Sequence, residues 1–304
     1  MSEPPSRGCQ RNPPQPQEPP LPSLSLNPRK HPQHQNARLL PPRLHIPVPI
    51  ATSWGSSPEL AMGISLVVGL PSAAVLAAFV ALRQSNAPPY ITLPVLHSSI
   101  VGFTAAIAAH PRINYTGLFR KSREGAFPWW SYAAFYPYLL TLRAYVHARR
   151  FLSQEPVFTE VEPGLFVGGW PALQRDVPPG LRGVVDCTCE LPRNSCVNEL
   201  PYLCVPIWDT RGPQPVEIEN AVQWALKQRG ESGHPVLVHC AFGHGRSVTI
   251  MCALLITLGV CDTWQNAETY IKRSRPRARL NKGQKESLKE WQSVFASKQE
   301  KKLL

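Results

Sequence analysis

The sequence predicts an α/β fold, a mostly parallel sheet flanked by helices, preceded by transmembrane helices and a disordered tail. Three observations predict it. Short apolar runs alternate with helix-periodic segments over the last half of the chain, two long uncharged windows lie before them, and proline crowds the first 59 residues.

Residues 1–59 hold 15 of the 34 prolines, among scattered Gln, Asn, Ser and Arg. Such a stretch cannot bury enough apolar surface to offset the entropy of ordering, so it is expected to be disordered. A polyproline docking tail and a transit peptide are the functional alternatives.

Residues 60–150 read as a membrane region. The window 60–82, LAMGISLVVGLPSAAVLAAFVAL, carries no charge and is long enough to cross a hydrocarbon core of ~30 Å. A second window, 90–109, has prolines that kink a helix without preventing a span. A third, spanning about 127–147, is shorter and aromatic, with Arg143, Arg149 and Arg150 at its end, which suits an interfacial belt or a third crossing. The connection from Arg83 to Pro89 carries one positive charge and both flanks carry several, so a hairpin with both ends cytosolic obeys the positive-inside rule. Two spans plus an interfacial segment follow, in a multi-pass chain whose C-terminal domain faces the cytosol.

Of the net charge of +12, residues 60–150 supply +7, where the apolar residues also concentrate. That combination favours a membrane surface over nucleic acid as the acidic partner. The eight cysteines form no paired knuckles, so neither a zinc site nor a disulfide framework is expected, and the thiols read as reduced.

Residues 155–297 form the compact domain, with 298–304 a basic tail. Strands are expected at 164–169, 183–188, 202–207 and 235–240, and helices at 216–230, 246–259, 263–275 and 281–295. Ligands of such sheets bind beyond the carboxyl ends of the strands. There lies HCAFGHGRS, from His239 to Ser247. The amides of Ala241, Phe242, Gly243, His244, Gly245 and Arg246 converge at a helix N-terminus, an anion site, and the glycines permit unusual backbone angles. Arg246 adds a planar fork for two phosphoryl oxygens, and Cys240 in that positive field is expected to be a thiolate. His239 supports the loop and Ser247 donates to the sulfur.

HCAFGHGRS resembles the signature loop of the Cys-based protein tyrosine phosphatase superfamily, H-C-x5-R-S/T, and the size of 155–297 resembles its small dual-specificity branch. The resemblance implies a general acid about thirty residues upstream, which PIWDTRGP supplies as Asp209. RSRPRARLNKGQ (273–284) resembles the segment before the last helix, where Gln284 would position hydrolytic water, and PGLFVGGWPAL (163–173) resembles the opening strand.

Chemistry and resemblance together imply phosphomonoester hydrolysis through a phosphocysteine on Cys240, held by Arg246 and protonated by Asp209, without metal or cofactor. The substrate is a phosphorylated protein, at tyrosine and serine or threonine. The alternative is a phospholipid head group, a phosphoinositide or phosphatidylglycerophosphate, and the remaining one is a non-catalytic phosphate-binding module. The inner loop positions Ala241, Phe242 and His244 are less basic than those of many lipid phosphatases of the superfamily. The run KRSRPRAR (272–279) reads as a solvated basic face, with contact to lipid as the alternative.

Overall fold

The computed structural model describes residues 63–153 and 155–296; the expected tail 1–59, the start of the first window and the basic tail 298–304 lie outside them. Helices α1 (Ile64–Gln84) and α2 (Pro89–Ala108) form a hairpin, and both are long and apolar enough to cross a membrane. They touch through small residues. Ser99 donates its hydroxyl to the Ser72 carbonyl at 2.9 Å, and a Cβ on Gly102 would collide with the Ser72 hydroxyl. Outward-facing side chains such as Val67, Leu70 and Leu93 are exposed.

The aromatic window falls in α3 (Trp129–Leu152), which runs on through Arg143, Arg149 and Arg150. It does not float free of the C-terminal domain. Val146 is fully buried with Trp170, Leu191 and Ala241, and Leu139 packs with Phe119, Cys189 and Trp208.

The domain is built on five strands: β1 (Phe158–Glu162), β2 (Leu165–Gly168), β3 (Gly183–Asp186), β4 (Tyr202–Cys204) and β5 (Val236–His239), in the order β1-β2-β5-β3-β4. Only β1 is antiparallel to its neighbour; the other pairings are parallel, as expected for strands joined by crossover helices. β2, β3 and β5 are buried along their whole length, which explains their continuous apolar character. β1 was absent from the expected strands because its sequence, FTEVE, is short, charged and bulged between Glu160 and Glu162.

Helices α4 (Pro215–Arg229), α5 (Arg246–Thr257), α6 (Trp264–Ser274) and α7 (Lys282–Trp291), the last followed by a π turn at Gln292–Ala296, lie close to the expected ranges. α5 is the central one. Ten of its twelve residues are buried, and Val248, Met251 and Leu255 enter the main core with Val238 and Ile271.

The connection between α2 and α3 is also part of this body. Arg123 accepts from the Cys204 amide at 2.8 Å, which pairs an outward N–H of β4, and Gly125 accepts from the Arg193 amide at 2.8 Å. Phe119 is fully buried among Phe127, Phe135, Tyr138 and Trp208.

Candidate active site

β5 ends at His239, and the chain turns through 240–245 before α5 begins at Arg246. The turn requires glycine at one point above all. Gly243 has φ +76°, and a Cβ there would stand 2.5 Å from the Gly168 carbonyl carbon. Its amide donates to Cys240 Sγ at 3.2 Å, and the Ser247 hydroxyl donates to the same sulfur at 3.3 Å. Burial alone would push the Cys240 thiol up; the Arg246 guanidinium, the Ser247 hydroxyl and the loop amides outweigh burial and hold it below its ordinary 9.0. The other described cysteines in the domain interior run the opposite way. Cys187, Cys189 and Cys252 are pushed well above 9.0 by burial, so the loop singles out one sulfur.

Arg246 is buried and held from behind. Its Nη1 donates to Glu190 and to the Ile207 carbonyl, at 3.0 and 2.7 Å. Nε and Nη2 are buried and have no hydrogen-bond partner, which leaves two donors of the fork free to hydrogen-bond a ligand. Asp209 follows Trp208 in the connection after β4, with its Oδ1 3.4 Å from Arg246 Nε and its side chain half exposed. The structure thus brings Cys240, Arg246 and Asp209 to one place.

The supporting residues divide. His239 is fully buried, with Nδ1 3.3 Å from the Cys240 carbonyl and its other nitrogen 3.5 Å from the Tyr202 hydroxyl. Burial lowers its pKa below the usual histidine value. Gln284 is buried against Gly245, and its amide nitrogen points to the Arg211 carbonyl at 3.4 Å. It spans the gap between the acid-bearing connection and the loop.

Phe242 and His244 form the loop's outer rim rather than an open floor. Phe242 stacks on His244 and receives Arg149 of α3 over its face at 4.3 Å. His244 Nε2 lies 2.6 Å from Glu155, yet burial, with Arg275 and Arg149 nearby, keeps its pKa below the ordinary histidine value. A cavity of about 620 Å³ adjoins this rim, with Arg149, Arg175 and Arg277 in its wall.

Several residues that organise the site were not among the expected ones. Glu190 sets Arg246. Arg275, one of the supposedly solvated basic run, is buried and donates to the carbonyls of Gly243 and Phe242 at 2.9 and 2.8 Å. Lys121 reaches Asp186 at 2.5 Å and the Thr188 carbonyl at 2.7 Å, and Tyr202 donates to the same carboxylate. A lone Asp at the end of an otherwise apolar strand, GVVD, was the available signal for a buried partner.

Cys240 at the foot of an amide cradle between β5 and α5, with the Arg246 fork beside it, is the arrangement that the resemblance of HCAFGHGRS to the Cys-based phosphatase signature implies. Residues 174–294 match the family model for the dual specificity phosphatase catalytic domain. Dual specificity protein phosphatase 22-B of Danio rerio is 31% identical over 97 residues, 32% of this chain and 52% of that protein, so the chain spans about half the length of this curated relative. Similar solved structures include PTPMT1 in complex with PI(5)P, at 22% identity and TM-score 0.43 over 47% of this chain and 99% of that one. Human DUSP28 is similar at 21% identity and TM-score 0.40, over 47% and 97%.

Proposed function

We propose that this chain is a membrane-anchored phosphatase that cleaves phosphomonoesters through a phosphocysteine. The observation that carries the reading is the pairing of a depressed Cys240 thiol with a neighbouring Arg246 whose Nε and Nη2 are buried without a hydrogen bond, Nε having only the longer ion-pair contact to Asp209. In the first step Cys240 Sγ bonds to phosphorus, the ester P–O bond breaks, and Asp209 gives its proton to the leaving oxygen. The loop amides and Arg246 meet the charge on the equatorial oxygens. In the second step Asp209 takes a proton from water aligned by Gln284, the new oxygen bonds to phosphorus, and the Cys240 thiolate returns as inorganic phosphate leaves.

The α1–α2 hairpin is the anchor. The connection bearing Arg112, Arg120, Lys121 and Arg123 packs on the catalytic side, and the positive-inside rule then assigns that side to the cytosol. Phosphotyrosine and phosphoserine or phosphothreonine in proteins are the first substrate class.

One observation favours the phospholipid reading. Arg211, two residues from Asp209, donates to the carbonyl of Ala109, the residue that closes α2, so if α2 crosses a membrane the centre lies near its end. Side-by-side assays on phosphopeptides and phospholipid vesicles separate the two substrates. Cys240→Ser abolishes turnover on either while still binding phosphate; turnover retained in that variant refutes the mechanism.

A further inference from the structure

The acid-bearing connection is fastened from a direction that the catalytic-domain match does not include. Trp208, next to Asp209, is fully buried and donates its indole N–H to the Tyr115 carbonyl at 3.0 Å. Its ring meets Phe119 edge-on with centroids 5.8 Å apart. On the other side of Asp209, Arg211 donates through Nη2 to the Ala109 carbonyl at 2.9 Å. All three partners precede residue 174, where the matched region begins.

Between these two fastenings the backbone has little slack. Thr210 sits at φ +65°, and its carbonyl accepts from Asn281 Nδ2 at 2.9 Å. Gly212 lies so close to Gly283 that a Cβ would come within 2.6 Å of the Gly283 carbonyl oxygen. One face of the connection is therefore seated on α7 and the other on residues 109–119.

We propose that residues 109–125 are a brace that holds the general acid in its working position, with Trp208 and Arg211 as positioning residues. The proposal rests on the reading of Asp209 as the acid. Asp209 is half exposed and contacts Arg246 at ion-pair distance, so its geometry depends on what its neighbours hold. A displaced acid costs on the order of 10²-fold in rate, because proton transfer needs hydrogen-bond reach of the leaving oxygen. The acceptors in the brace are backbone carbonyls at Ala109 and Tyr115, which ties acid placement to the fold of the hairpin's exit rather than to any one side chain there.

The test uses the full chain in detergent micelles and two aryl phosphates, nitrophenyl phosphate with a good leaving group and phenyl phosphate with a poor one. Loss of a placed acid slows the poor leaving group more than the good one; a general loss of folded protein slows both alike. Asp209→Asn is the reference and lowers kcat on phenyl phosphate about 10²-fold, with a smaller loss on nitrophenyl phosphate. Arg211→Ala reproduces that selectivity at about 10-fold, with KM little changed, and Arg211→Lys restores part of it. Trp208→Phe, which removes the indole donor and keeps a ring, gives the same ratio and serves where Arg211→Ala does not fold. Equal losses on both substrates in Arg211→Ala and Trp208→Phe, beside a selective loss in Asp209→Asn, overturn the brace and leave the acid in place. An unselective Asp209→Asn overturns the acid assignment and the brace with it.

Discussion

Glu190 Oε1 lies 2.8 Å from Arg246 Nη1, and both side chains are almost completely buried. The carboxylate fixes one end of the guanidinium and leaves the other end for the ligand. Removing one member of a buried pair strands the other charge, at a cost of about 3–5 kcal/mol. Glu190→Ala is expected to lower Tm by on the order of 10 °C and to remove most activity, whereas Glu190→Gln keeps a hydrogen-bond acceptor and loses less. Thermal unfolding with and without phosphate checks this, since an oxyanion resupplies the missing negative charge and narrows the gap.

Ser247 donates to the thiolate form of Cys240, so its loss disfavours that form. In Ser247→Ala the thiol pKa moves up toward 9.0 and the ascending limb of kcat/KM against pH moves to higher pH in step. Rates of alkylation by iodoacetamide across the same pH range give an independent reading of the shift.

Lys121 and Asp186 stabilise each other in opposite directions along the pH scale. Burial alone would raise Asp186, but Lys121 and His239 hold it below 3.8, so its contribution is present above 3.8 and is lost as pH falls through the lower folded value. Burial alone would lower Lys121, yet Asp186 raises it above 10.5, so that contribution is full below 10.5 and is lost as pH rises past the folded value. Lys121→Met leaves a buried carboxylate without its cation, and its pKa climbs above 3.8. Urea unfolding is then expected to show the variant more stable near pH 5 than near pH 8, a dependence that Asp186 does not give the parent chain in that range.

Gly243 has no room for a side chain and the wrong φ for one. Gly243→Ala is expected to push the loop off Gly168, weaken the amide contact to Cys240 Sγ, and cut kcat/KM by on the order of 10²-fold. Tm is expected to fall as well, because the new Cβ meets the Gly168 backbone and the residue is held at φ +76°.

The strand–loop–helix placement of HCAFGHGRS was legible because the segment is contiguous: His239 to Ser247 runs from β5 through the turn into α5 without interruption. Asp209 was singled out only at one remove, because the resemblance of the Cys240 loop implies an acid about thirty residues upstream and PIWDTRGP offers one there. The brace was not. In the sequence, Arg112 to Arg123 is only the basic flank of the second apolar window, and the bonds that fasten this segment and the end of α2 to the site join positions 93 and 102 residues apart. Arg275 illustrates the same limit, since RSRPRAR has the composition of a wet surface and only its packing on the loop carbonyls shows that one arginine turns inward. α3 was read as a membrane-surface element from its aromatics, whereas several of them pack on the catalytic domain.

The pairing of Arg123 with Cys204 has a consequence for how the protein meets other chains. β4 is a three-residue strand at the rim of the sheet, and a bare rim invites strand addition from a neighbour. Arg123 occupies the Cys204 N–H from within the same chain and so shortens that docking template. Proteolytic loss of the connection would uncover at one stroke an unpaired backbone edge, the indole of Trp208 and the carboxylate of Asp186, a surface suited to aggregation rather than to a soluble fragment.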